Sequence, residues 1–175
     1  MAIPTLREVQ YRVRRWTVEM DASPRDFRAR YEKAVPPLPR EQVDALVARR
    51  APWPEMLTLI SASAPLGFLI YGKIEVDAIM GLAGNHAACV SYLMGNHTLA
   101  ERMFRYEPAV MLYAPLHTAI WGPPSGPAHF TFDQPSDQFG SFDRPEIAEV
   151  GKELDHKLAA LLEHLGVAVP KALVP

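Results

Sequence analysis

Hydrophobic positions along the chain change period several times, and each change marks an element. Tyr11-Arg-Val and Trp16-Thr-Val-Glu-Met20 alternate apolar and polar residues, but out of phase across Arg14-Arg15. A strand with one extra residue there returns both apolar sets to one face. Ser23-Pro-Arg-Asp then opens a helix, with serine as N-cap, proline in the first turn and Phe27, Tyr31 and Ala34 as the apolar stripe. Val35-Pro-Pro-Leu-Pro39 ends it. Helices over Glu41 to Arg49 (Val43, Leu46 and Val47 inward) and Pro54 to Ile60 follow, then a short buried strand at Gly67-Phe-Leu-Ile-Tyr71. Glu75 to Leu82 fits strand or helix.

The second half is more sharply punctuated. Ala88 to Met94 is a core strand between Gly84-Asn85 and Gly95-Asn96, and Asn96 caps a helix from His97 to about Tyr106 with Leu99, Met103 and Tyr106 on one stripe. Leu116–Trp121 and Ala128–Asp133 form a hairpin around a Gly-Pro-Pro-Ser-Gly-Pro loop. Asp143, with Glu146 three residues on, offers a capping box for the last helix. Its stripe is Ile147, Val150, Leu154, Leu158, Leu161 and Leu165, and Gly166 stops it. The whole predicts a single α+β domain over 1–175, with an antiparallel-dominated sheet and helices packed on one face. The tail, 167–175, is either draped over the body or loose.

Composition narrows the function classes. Net charge is −2, so bulk electrostatics favour neither nucleic acid nor an anionic membrane, and no apolar run reaches the ~20 residues of a membrane span. Through Arg50 there are eleven Lys/Arg against seven Asp/Glu, and afterwards seven against thirteen. That asymmetry allows an anion-facing edge, although a solvated, ion-paired surface explains it as well. Cys89 is the only cysteine, which excludes an intramolecular disulfide and a thiolate metal cluster within one chain. The start, Met-Ala-Ile-Pro-Thr-Leu-Arg-Glu, turns polar too early for a signal-peptide core, so a cytoplasmic protein is expected.

Five segments carry a family likeness: Tyr-Leu-Met-Gly-Asn-His-Thr-Leu-Ala-Glu-Arg-Met (92–103), Pro-Ala-Val-Met-Leu-Tyr-Ala-Pro-Leu-His (108–117), Asp-Gln-Pro-Ser (133–136), Phe-Gly-Ser-Phe (139–142) and Glu-Leu-Asp-His-Lys-Leu (153–158). They resemble the bacterial family catalogued as domain of unknown function 302. The likeness covers about 67–165, leaving 1–66 as an N-terminal strand and helices. It implies a compact α+β domain, often a homodimer, and no agreed activity. His97 stands where that family often has proline after the asparagine, and His117 where arginine often follows Ala-Pro-Leu.

Several candidate sites follow from the residues themselves. Matching the apolar faces of the hairpin pairs Ile120 with Phe130 and Thr118 with Phe132. That register sets Trp121 opposite His129, and His117 opposite Asp133. A carboxylate-oriented imidazole suits general-base chemistry and serves equally as a structural pair. His97 and Glu101, four apart on a helix, share a face and could contribute two metal ligands; two do not make a site. The helix N-terminus after Asn96 could meet an anion. Met80, Met94, Met103 and Met111, with Tyr92, Tyr113 and nearby histidines, could line a haem cavity or serve as plastic core. Cys89 reads as a buried thiol, and Ser136 lacks the glycine elbow of a serine nucleophile. The leading expectation is a dimeric, non-catalytic domain binding a small ligand, transition metal or haem near Asn96, His97, His117 and His129. An enzyme using His117 and Asp133, and a structural interaction module, are the alternatives.

Overall fold

Five strands, β1 (Arg15–Met20), β2 (Leu69–Glu75), β3 (Ala88–Gly95), β4 (Leu116–Gly122) and β5 (Ala128–Asp133), form one sheet in the order β1-β5-β4-β3-β2. Every neighbouring pair is antiparallel. The computed structural model describes residues 6–174; residues 1–5, which begin the stretch read for a signal sequence, lie outside the described residues. The hairpin register is the one the apolar pattern requires: Ile120 pairs with Phe130, Thr118 with Phe132, and Trp121 with His129. Burial sets it, because a one-residue slip would turn Phe130 and Phe132 out of the core.

Among the described residues, seven helices accompany the sheet: α1 (Pro24–Ala34), α2 (Arg40–Ala48), α3 (Trp53–Ser63), α4 (Asp77–Gly81), α5 (His97–Phe104), α6 (Pro135–Gly140) and α7 (Pro145–His164). Ser23 Oγ accepts from Asp26 N–H, as its sequence predicts. The inward row of the sheet, including Tyr92, Met94, Ile120, Phe130 and Phe132, packs with Phe27 and Tyr31 of α1 and the apolar stripe of α7 in one core. All six predicted stripe residues from Ile147 to Leu165 are buried. A smaller cluster of Val43, Ile60, Ala64 and Leu69 joins α2 and α3 to the β2 edge. The opposite row of the sheet, with His117 and Trp121, faces outward. No described helix is long and apolar enough to cross a membrane.

Local readings fail where a tertiary partner intervenes. The first strand begins only at Arg15, without the bulge expected at Arg14-Arg15, because Arg14 turns its N–H (2.9 Å) and guanidinium (2.6 and 2.8 Å) onto Asp137. The register shift lies instead in β2, between Ile70 and Gly72. Asp143 does not cap α7: it sits at φ +54°, and Arg144 is the N-cap with no side-chain hydrogen bond. Helix α5 ends at Phe104 rather than near Tyr106, and Val47 of α2 is 66% exposed rather than inward. The ambiguous stretch resolves into the end of β2 followed by α4. The tail is draped: Lys171–Leu173 makes a 3-10 turn with Leu173 buried.

Candidate functional site

The junction from β3 into α5 builds a cavity. Asn96 spends its side chain on scaffold: Oδ1 accepts from Thr98 N–H (2.8 Å) and Thr98 Oγ1 (2.6 Å), and Nδ2 donates to the Gly67 carbonyl at 2.9 Å. Its amide is therefore not free for a ligand. His97 N–H donates to the Tyr71 hydroxyl at 2.8 Å, and the two rings meet edge to face with centroids 4.6 Å apart. Among the described residues no hydrogen bond engages the His97 ring nitrogens. Burial pulls the His97 imidazole below its ordinary pKa and pushes the Tyr71 phenol up to about 12, the His97 N–H opposing that rise only in part.

His97 stands between two compartments. An inner cavity of about 60 Å³ is lined by Tyr71, Gly95, Leu99, Met103, Leu116 and Leu154, among others. An outer groove of about 290 Å³ is lined by Val43, Val47, Trp53 and Phe104, with His97, Ala100 and Met111 common to both. Gly95 lies in a tight space there: a Cβ would lie 3.2 Å from Pro115 Cβ and 3.5 Å from Tyr71 Cε2. The Gly-Asn junction and the Ala-Pro-Leu segment are thus two walls of one cavity.

The remaining candidates lie elsewhere. His117 is on the outward face of β4, with Nε2 2.6 Å from Ser91 Oγ, while Asp133 accepts from Arg15 Nε at 3.1 Å. The expected His117–Asp133 hydrogen bond is replaced by these two, since each flanking strand supplies a nearer partner. His129 stacks on Trp121 with centroids 4.3 Å apart. Its Nε2 lies 3.5 Å from Glu19, and its buried Nδ1 has no hydrogen-bond partner. His117 and His129 are separated by about 13 Å along the sheet, four residues at the strand rise, and neither lines the cavity beside His97. Glu101 is taken by Arg105, at 2.5 and 3.0 Å. Among the described residues, no group of three or more His, Cys, Asp or Glu side chains could hold a metal ion. Of the four methionines expected around a haem, Met103 and Met111 line this region, whereas Met94 is core and Met80 is on exposed α4.

A second constellation escaped the sequence reading. Gln134 Nε2 directs its two hydrogens among Asp155 Oδ2 (2.7 Å), the Ala172 carbonyl (3.0 Å) and Ser136 Oγ (3.1 Å), and Gln134 Oε1 accepts from Trp16 Nε1 at 3.1 Å. Asp155 Oδ1 accepts Ser136 N–H at 3.0 Å. Burial pushes the Asp155 carboxyl above its ordinary range, against the lowering by the Ser136 and Gln134 hydrogen bonds. The available signal was an aspartate inside the apolar stripe of α7, beside Leu154 and Leu158.

Residues 56–165 match the family described as Domain of unknown function DUF302. The chain belongs to that family. The crystal structure of an uncharacterized conserved DUF302 protein from Bacillus stearothermophilus is similar over 86% of this chain and 97% of that one, with a TM-score of 0.61 at 16% identity. At that identity the likeness speaks to the fold alone. No curated protein matches the chain. Within this DUF302 domain, the inner cavity is built wholly from the matched segment, Tyr71 to Leu154, whereas Val43, Val47 and Trp53 of the outer groove precede it.

Proposed function

We propose that this DUF302 domain binds a small, mainly apolar ligand in the cavity and groove joined at His97. One observation carries the reading. Three of the segments with the family likeness, 92–103, 108–117 and 153–158, meet at this cavity through Gly95, Pro115 and Leu154. A concave, mostly apolar lining with a few convergent polar groups is the usual character of a small-molecule site. The inner cavity is the smaller compartment, about 60 Å³ against about 290 Å³, so it takes the tip of a ligand, and the groove takes the rest. Haem fits this poorly, because no macrocycle enters the inner compartment. A metal is not supported either, since Glu101 is engaged by Arg105.

The test uses the neutral fluorophore N-phenyl-1-naphthylamine. Saturable binding with energy transfer from Trp53 is expected, and Ala100→Trp, which fills the shared wall, should weaken it at least tenfold. Binding that Ala100→Trp leaves unchanged places the probe elsewhere and sinks the proposal.

We also propose a homodimer formed through the open sheet face, where Ile74 is 55% and Trp121 37% exposed. Apolar side chains gathered on an otherwise polar face favour a partner. Sedimentation should give a dimer that Trp121→Glu converts to monomer; a monomeric wild type refutes it.

A further inference from the structure

The lining of the His97 site also bears on the charge of what it holds, and this step rests on the binding reading above. No lysine or arginine lines either compartment, and the one formally charged lining residue is Glu101, already paired with Arg105. A carboxylate or phosphate drawn into such a lining would lose water without gaining a counter-charge. The polar groups that do converge are of another kind. The Tyr71 hydroxyl accepts from His97 N–H, and among the described residues its own proton has no protein acceptor. The His97 imidazole, uncharged at neutral pH because of its burial, offers one donor and one acceptor. These two groups touch edge to face, Tyr71 lining the inner cavity and His97 lining both compartments among apolar side chains.

We infer that the ligand is uncharged and carries a carbonyl or hydroxyl oxygen, seated at a throat beside the Tyr71 hydroxyl and the His97 imidazole, with apolar arms in the cavity and groove. A carbonyl oxygen accepts from both groups. A hydroxyl can in addition donate to the imidazole. Anionic amphiphiles are selected against by the absence of any cation in the lining, and flat metal complexes by the small inner volume.

Competition against bound N-phenyl-1-naphthylamine tests this on the intact chain. At pH 8, 2-decanone and 1-decanol should displace the probe at concentrations at least tenfold below those needed for decanoate. Decanoate competing equally or better overturns the inference while leaving the binding site intact. A wild type that takes up no probe removes the underlying reading instead. Tyr71→Phe and His97→Phe should each raise the ratio of the 2-decanone to the probe dissociation constant by about three- to tenfold, the worth of one neutral hydrogen bond. His97→Gln, which restores a donor and an acceptor, should recover part of the ketone affinity. Ketone affinity untouched by all three variants overturns the assignment of the throat. Probe uptake that falls as protein concentration rises, in step with self-association, would give the groove to a second copy and overturn it as well.

Discussion

Gln134→Ala is the sharpest test of how this domain holds together. The side chain joins Trp16 of β1, Ser136 of α6, Asp155 of α7 and the Ala172 carbonyl of the tail. Truncation leaves the Asp155 carboxyl, only 3% exposed, without its 2.7 Å donor and the Trp16 indole N–H facing a methyl group. A buried polar group stripped of its partner costs about 1–3 kcal/mol. Trp16 is half-buried, so water offsets part of its share. The expected loss is therefore about 2–4 kcal/mol, against the ~5–15 kcal/mol typical of a whole domain. For a chain of this size that corresponds to a Tm lower by roughly 4–16 °C. Urea unfolding followed by circular dichroism reads the free energy, and limited proteolysis reads the tail, which should become cleavable near Ala172 before the body unfolds. Lys152→Ala, which removes an exposed ion pair to Glu149, is the control and should stay within about 0.5 kcal/mol. A loss below 1 kcal/mol for Gln134→Ala would show that the network is not what fastens these elements.

Asp155 also predicts a pH signature. Its carboxyl is raised above the ordinary 3.8, so the folded state binds its proton more tightly than the unfolded state does. The stability it contributes is complete below the unfolded value and is lost as pH rises through the folded one. Asp155→Asn should remove that decline, and parallel pH–stability curves for the two proteins would refute it. Gly95→Ala should cost about 1–3 kcal/mol by urea unfolding, through overpacking against Pro115 and Tyr71, and should weaken N-phenyl-1-naphthylamine binding. An unchanged variant would mean that the junction has slack. His117→Ala removes an exposed side chain bonded to Ser91 and should leave both stability, within about 0.5 kcal/mol, and probe affinity unaltered. A large drop in affinity would return His117 to the binding site.

The sheet and the long helices were legible because their information is local. Alternation fixed the register of Ile120 with Phe130, and Ser23 and Asn96 announce their helices by hydrogen bonds spanning two or three residues. What the sequence concealed depends on residues far apart. Arg14 leaves the strand pattern for Asp137, and no local rule connects positions 123 apart. Asp143 has the residue type of a cap but the backbone of a left-handed turn, which places Arg144 at the cap position instead. The histidines illustrate the same limit. His97 and the His117/His129 face were grouped as one candidate ligand site, but helix α5 carries His97 to the cavity while strand alternation leaves the other two on the outward side of the sheet. Periodicity was reliable within the hairpin and the last helix but not at Val47 or Tyr106, and the relation between elements was not available to it.

The likeness segments divide into two kinds of work, and that division bears on where specificity resides. Asp-Gln-Pro-Ser and the aspartate of Glu-Leu-Asp-His meet in the buried network around Gln134, which fastens β1, α6, α7 and the tail. Gly-Asn-His, Ala-Pro-Leu and Leu154 instead meet around a cavity, where Pro115 closely approaches the glycine. The first set explains how the domain is held. The second encloses a space that close packing alone would have filled with side chains. The outer groove adds walls from α2 and α3, including Val43, Val47 and Trp53, which lie before the residues matched to the family. A ligand spanning both compartments would therefore have its tip and its oxygen read by the family segment and the length and shape of its outer arm read by the N-terminal helices.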